Sequence, residues 1–322
     1  MDGLNSTYHH PHQPEMSCEV ILASKGENGQ KPIYTIRMRY PRPIHGEIMT
    51  HRVFSRNARS SRAVPVKTML DEVQRIPYVP WHWLKNKPGM QGTEPLSIEE
   101  QQEAEFLWLT ARDYAVNITN QLFDPDGLNI HKQNPNRLLE PFSWIDTLIT
   151  ATDWDNFLWL RQHGAAEPHL QDLANLVAHA IETAHVFTLY DGQWHQPYIT
   201  QQDIEWAMTE AINGPESMNT LLNKVSAARC ARISYKPFDG DASYEKEISR
   251  YNHLVSDERV HASPLEHQAM PDTKARYETR RVDLINSGSI TEDLFTNPHL
   301  HGNLEGYIQA RKLVPNEVYS SI

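Results

Sequence analysis

Residues 33–40, IYTIRMRY, alternate strictly, with Tyr34, Ile36, Met38 and Tyr40 on one face and Thr35, Arg37 and Arg39 on the other. A period of two predicts a half-buried strand. Pro41 and Pro43 end it, and Pro43 suits the first helical position of IHGEIMTHRVF, in which Ile44 and Ile48 share a face. A strand, a short helix and a loop are therefore expected in that order. Further on, residues 77–95 are rich in Pro, Gly, Trp and Lys and predict an irregular loop. Ser97 and Glu100 then form a capping box that opens a long helix, with Ala104, Leu107, Trp108, Ala111 and Ile118 as its core-facing stripe. A second helical region is expected over 144–160. A third begins at Pro168, with Leu173, Leu176, Val177, Ala180 and Ile181 inward. Helices also fit 201–212, 215–227 and 243–255, and the late segment HGNLEGYIQARK reads as a short amphipathic helix.

No internal repeat, low-complexity tract or linker interrupts this pattern. The expected organisation is a flexible tail over 1–30 and a single α/β domain over 31–322, its mixed or antiparallel sheet flanked by helices and carrying a helical elaboration. At 322 residues and 39% hydrophobic content the chain has enough apolar mass for a core. A net charge of −11 argues against a broad grip on nucleic acid or an anionic membrane, but leaves room for a focused anion pocket. Cys18 and Cys230 are too few for a disulfide framework, which points to a reducing, cytoplasmic compartment. No apolar run reaches the roughly 18 residues of a membrane span, and the first residues lack a signal-peptide pattern. His9, His10 and His12 have no acidic or cysteine frame around them, so no metal site is expected.

The chemistry concentrates in four places. THRVFSRNARSSR, residues 50–62, carries Arg52, Arg56, Arg59 and Arg62 with Ser55, Ser60 and Ser61, in a stretch from Ile48 to Leu70 without an acidic residue. Such a donor-rich surface suits phosphate, with salt bridges to distant acids as the alternative. NRLLEPFSW places Arg137 beside a helix, and TATDWDNFLWLR sets Asn156 and Arg161 within an aromatic and aliphatic run. ARISY and HASPLEH contribute Ser234, His261, Ser263, Glu266 and His267. Taken together, the four point to a ligand with more than one phosphate.

These blocks resemble the flavin-dependent thymidylate synthase family, whose signature is Arg-His-Arg, seven residues and Ser; here it reads Thr50-His51-Arg52 and Ser60. The resemblance covers 33–62, 137–184 and 224–267. It places the AARCARISY…HASPLEH block last rather than first, as in a circular permutation. It implies that His51, Arg52 and Asn156 contact FAD, joined by Ser234, His261 and Ser263 from a neighbouring subunit of a homotetramer. It implies that Ser60, Ser61, Arg62 and Arg137 hold the phosphate of dUMP, and that Arg161 faces the pyrimidine as the catalytic residue. The implied reaction is reductive methylation of dUMP to dTMP, with methylenetetrahydrofolate as carbon donor and NADPH reducing the flavin. Thr50, Ala58, Thr150, Thr152 and Glu47 depart from the family pattern. A hydroxymethylating enzyme and an inactive nucleotide-binding homologue remain open alternatives.

Overall fold

A computed structural model of the chain describes residues 6–233, 241–255, 260–274 and 295–318. Along the chain run β1 (Thr7–His10), β2 (Gln13–Gly26), β3 (Ile33–Pro41), α1 (His45–Ile48), β4 (Ser55–Ala58), α2 (Val66–Arg75), α3 (Ile98–Phe123) and α4 (Pro135–Leu139). There follow β5 (Trp144–Ala151), α5 (Asp155–Arg161), α6 (Pro168–Thr183), β6 (Phe187–Leu189), α7 (Gln201–Asn213), α8 (Met218–Cys230), α9 (Tyr244–Val255), β7 (Ala269–Pro271) and β8 (Tyr307–Gln309). The main sheet has the order β1-β2-β3-β5-β4, antiparallel throughout, with β6 pairing parallel to β2. The fold is thus a mixed helix and sheet architecture, and β4 is an edge strand.

One sheet face packs on α6. Leu170, Leu173, Ala174, Val177 and Ala180 meet Ile36, Met38 and Tyr40 of β3 and Met16, Cys18 and Val20 of β2, all fully buried or nearly so. Each fully buried leucine or valine side chain there contributes about 1.5–3 kcal/mol by removal from water. The opposite face carries Thr35, Arg37 and Arg39 and is covered in part by α8 and the HASPLEH turn. A separate small sheet joins β7 and β8.

Several expectations are corrected. Residues 7–26, expected as part of a flexible tail, form two strands, because Met16, Cys18 and Val20 supply an inward face to the sheet. His10 is built in as well, its ring 5.5 Å from that of Trp81. The region 144–160 splits into β5, a three-residue break over 152–154 and the short α5. HGNLEGYIQARK is no helix: Gly302 and Gly306 adopt φ of 59° and 84°, and the chain continues as β8 and a 3-10 turn. Ala104 and Trp108 of α3 are half-buried as expected, but Leu107, Ala111 and Ile118 are exposed, and the buried positions nearby are Val116 and Thr119. The capping box at Ser97 and Glu100 forms as read.

Candidate functional site

The acid-free stretch begins in the turn after α1. Thr50 Oγ1 donates to Glu47 O at 2.7 Å, and Phe54 N donates to His51 O at 3.3 Å, which folds residues 47–54 back on themselves. The His51 ring is buried between Phe54, stacked at 5.6 Å, and Phe157, edge-on at 5.0 Å. Phe157 anchors α5, and that anchor carries Arg161, one turn further on, over the loop. Arg161 Nε donates to His51 Nε2 at 2.9 Å, Nη2 to Thr50 Oγ1 at 3.1 Å and Nη1 to Glu47 Oε2 at 3.3 Å. All three guanidinium nitrogens are therefore placed by one turn.

A guanidinium only donates, so His51 Nε2 must be bare and the imidazole is the neutral tautomer with its proton on Nδ1. Burial, then the positive charges of Arg161 and Arg56, push the His51 pKa down to about 4. Between that value and 6.5, the unfolded chain binds a proton here that the folded chain refuses. The stability carried by neutral His51 is therefore complete above pH 6.5 and lost as the pH falls through 4. Protonation would also replace the acceptor for Arg161 with a second donor. The His51 ring followed by NMR is expected to titrate near pH 4 in the native protein; titration near 6.5 would contradict the buried Arg161 contact.

Two of the four arginines serve the fold. Arg56 donates to the carbonyls of Met49 and His51, each at 3.0 Å, and Arg59 forms a two-pronged pair with Glu72 at 2.7 and 2.8 Å. Arg52, Ser60 and Arg62 are exposed. Ser61 is buried and its hydroxyl donates to Glu140 Oε1 at 2.6 Å, so its side-chain proton is already committed. Asn136 of α4 clamps the same turn, its Nδ2 donating to Ser61 O at 2.7 Å and Val64 O at 2.9 Å. Exposed Arg137 follows Asn136 directly, so the second block is joined to the Ser60–Arg62 turn.

The fourth block reaches the same edge of the sheet. Asn57 Nδ2 donates to Cys230 O at 3.1 Å, tying β4 to the end of α8. Gln309 Nε2 donates to Ser55 Oγ at 3.3 Å and to Glu266 O at 3.1 Å, which holds the Ser263–Glu266 3-10 turn beside β4. His261 and Ser263 are exposed on or next to that turn, Asn156 is exposed on α5, and Ser234 lies outside the described residues. The His51 turn leads into β4 and the Ser60–Arg62 turn follows it, so a ligand touching both must lie along this strand.

Comparison with known proteins now bears on this geometry. No family model matches the sequence, and no curated protein matches it. Solved structures do. A UMP/dUMP methylase, PolB, from Streptomyces cacaoi, bound with 5-bromo-UMP, is 21% identical at TM-score 0.40, over 47% of this chain and 69% of that one. Flavin-dependent thymidylate synthase ThyX from Helicobacter pylori, complexed with FAD and dUMP, is 17% identical at TM-score 0.31, over 46% and 67%. The chain is similar in structure to ThyX and to a ThyX-like methylase.

The departures from the ThyX signature acquire physical meaning. Thr50 and Glu47, where the family has arginine and glutamine, are both partners of Arg161, and an arginine at 50 would set two guanidinium groups against each other. Thr150 is fully buried and bonded to Thr35 and His267, and Thr152 is buried too. Sequence reasoning missed Asn303, whose Nδ2 donates to Val53 O at 2.8 Å, and Gln309. The two glycines in HGNLEG were the available signal for a turn rather than a helix.

Proposed function

We propose that the chain is a ThyX-like enzyme that converts dUMP to dTMP by reductive methylation, with FAD, methylenetetrahydrofolate and NADPH. The observation that supports this reading best is the convergence of the other three sequence blocks on the one that holds β4: Arg161 on the His51 turn, Asn136 on the Ser61 turn, and, from the last block, Cys230 on Asn57 and the HASPLEH turn on Ser55 through Gln309. The block order, with the HASPLEH segment after β4 rather than before it, fits a circular permutation of that fold.

The exposed donor set agrees with a flavin dinucleotide: Arg52, Asn156, His261 and Ser263 are unburied polar groups around the strand, and none is consumed by the core. These residues, with His51 beneath Arg161, would hold FAD, which supplies hydride when reduced. Ser60, Arg62 and Arg137 bind the nucleotide phosphate through charge-assisted contacts, with Ser61 limited to its backbone. Arg161 stands beside the pyrimidine and stabilises negative charge as it develops on the ring. Its three fixed partners mean that little reorganisation is required at that moment. His51 keeps Arg161 in place as a neutral acceptor and does not itself move a proton at neutral pH. No covalent enzyme nucleophile is invoked, and Ser60 acts as a binding residue.

The site is completed between subunits of a tetramer, with His261 and Ser263 offered to a neighbour. Mixed oligomers of Arg161→Ala and His261→Ala chains are expected to recover part of the activity that each lacks alone. Absence of recovery in verified mixed oligomers would contradict a shared site. For the function itself, purified protein is expected to carry a flavin absorbance that NADPH bleaches under anaerobic conditions. Colourless protein that cannot be loaded with FAD would overturn the reading.

A further inference from the structure

On the sheet face away from α6 lies a cavity of about 670 Å³, within the range of small-molecule sites. It is distant in the fold from β4, and no role described above uses it. Phe187, Tyr190, Trp194 and Tyr198 line it together with Ile204 and Leu222. Aromatic side chains in a lining favour a flat ring as ligand. Tyr198 is held there at φ of 65°, a left-handed conformation that costs a tyrosine energy and persists only where the surroundings impose it. The charged residues of the lining, Arg37 and Glu19, neutralise each other at 2.7 Å, so the cavity has no cation to spare for a phosphate.

The polar lining also has a direction. Gln196 Nε2 is used by Asn223 Oδ1 at 2.9 Å and Asn219 Nδ2 by Gly192 O at 3.1 Å, which leaves their amide oxygens as acceptors for ligand N–H groups. Ser24 lies on the floor and begins a buried chain of hydrogen bonds. Ser24 Oγ meets His195 Nδ1 at 3.0 Å, His195 Nε2 meets Thr35 Oγ1 at 2.8 Å, Thr35 meets Thr150 Oγ1 at 2.6 Å, and Thr150 meets His267 Nδ1 at 2.8 Å. All five residues are at most 1% exposed. His267 Nε2 closes the chain, buried and without a partner among the described residues.

Burial holds both imidazoles neutral, each with a pKa near 3. Every member of the chain then has one proton and one lone pair to offer along it, so its protons can be ordered in two directions. The two orders hold the same number of protons; passing from one to the other takes up a proton at Ser24 from the cavity and returns the one released at His267 Nε2 to solvent when the fold opens locally. If Ser24 donates into the cavity, His195 must donate to Ser24, and the order forces His267 to carry its proton on Nδ1. His267 lies in HASPLEH, so the far end of the chain is the turn packed beside β4.

We propose that this cavity is a second ligand site for an uncharged nucleobase or nucleoside with adjacent C=O and N–H groups, whose occupancy is passed to the HASPLEH turn through the Ser24–His195–Thr35–Thr150–His267 chain. The proposal does not rest on the reaction assigned above. Its test uses thymidine and guanosine, which have the C=O and N–H pair, and adenosine, which lacks it, titrated into the full chain by calorimetry.

Thymidine or guanosine is expected to bind at least about tenfold more tightly than adenosine. Met218→Trp or Ile204→Trp, each filling the cavity rim and checked for a wild-type melting profile, should weaken that binding by about tenfold or more, while Arg161→Ala leaves it unchanged. Nitrogen-15 NMR of the histidines should show His267 moving to the Nδ1–H tautomer on binding. Thr35→Val, which removes the middle link, should abolish that movement with binding retained. No saturable binding by any of the three up to about 5 mM, equal binding of all three, or loss of binding in Arg161→Ala would overturn the site. A His267 response that persists in Thr35→Val would overturn the relay.

Discussion

Arg161→Lys is expected to lower turnover by about 100-fold or more at saturating dUMP. The guanidinium makes three separate contacts, to His51, Thr50 and Glu47, through three nitrogens, and this fixes its plane relative to the sheet edge. A lysine ammonium retains the charge but one point of attachment at most, and loss of one preorganised donor to a developing charge costs roughly 3 kcal/mol. The ordinary alternative, a helix-surface arginine paired with Asp153 or Asp155, does not describe the observed contacts, which go to the α1 turn. A structural role alone would remove about 1–2 kcal/mol of stability, with turnover per folded molecule unchanged. The decisive comparison is therefore kcat against thermal stability in the same preparation. Normal kcat in Arg161→Lys would defeat the catalytic role, and a variant that only loses folded protein would assign Arg161 to the fold.

Arg62→Ala is expected to weaken dUMP binding by about 1.5–3 kcal/mol, which is the range for a charge-assisted hydrogen bond, and to leave flavin content close to wild type. Arg62 is exposed, whereas Arg59 and Arg56 in the same stretch are committed to Glu72 and to backbone carbonyls. The turn that presents it is fixed from below by Asn136 and Glu140, so the substitution removes a donor without loosening its frame. Arg59→Ala provides the contrast: it should lower stability through the orphaned Glu72 and affect dUMP affinity mainly through that loss. Equal dUMP affinity in wild type and Arg62→Ala, measured by titration, would remove Arg62 from the phosphate site.

How far the sequence carried the fold depends on how each element meets the core. Strand β3 was legible because one face is apolar and the other polar, and α6 because Leu173, Val177 and Ala180 repeat at helical spacing. β5 was not. It lies between β3 and β4 with nearly every residue buried, so WIDTLITA shows no period of two and reads like the start of the helix that follows. The outward turn of Leu107 and Ile118 has a similar cause, since the stripe of α3 is narrow and its buried face is set by contact with α2 and α4.

For the site, the acid-free stretch marked the loops on which Arg161 and Asn136 converge, but it could not divide its arginines. Glu72, just past the end of the stretch, takes Arg59 from the facing helix, and Glu140, which takes Ser61, lies far outside it and reaches it only through folding. The joining of Arg161 to His51 likewise spans 110 positions and has no local signal. The histidine chain across β2, β3 and β5 was invisible for the same reason, because His195 stands in a loop sequence with no motif around it.

The central claim, methylation of dUMP, is tested most directly by mass analysis of the nucleotide after anaerobic incubation of the FAD-loaded protein with dUMP, methylenetetrahydrofolate and NADPH. The predicted product is dTMP, formed in wild type and strongly reduced in Arg161→Lys. Unchanged dUMP, or a hydroxymethylated nucleotide in place of dTMP, would contradict it.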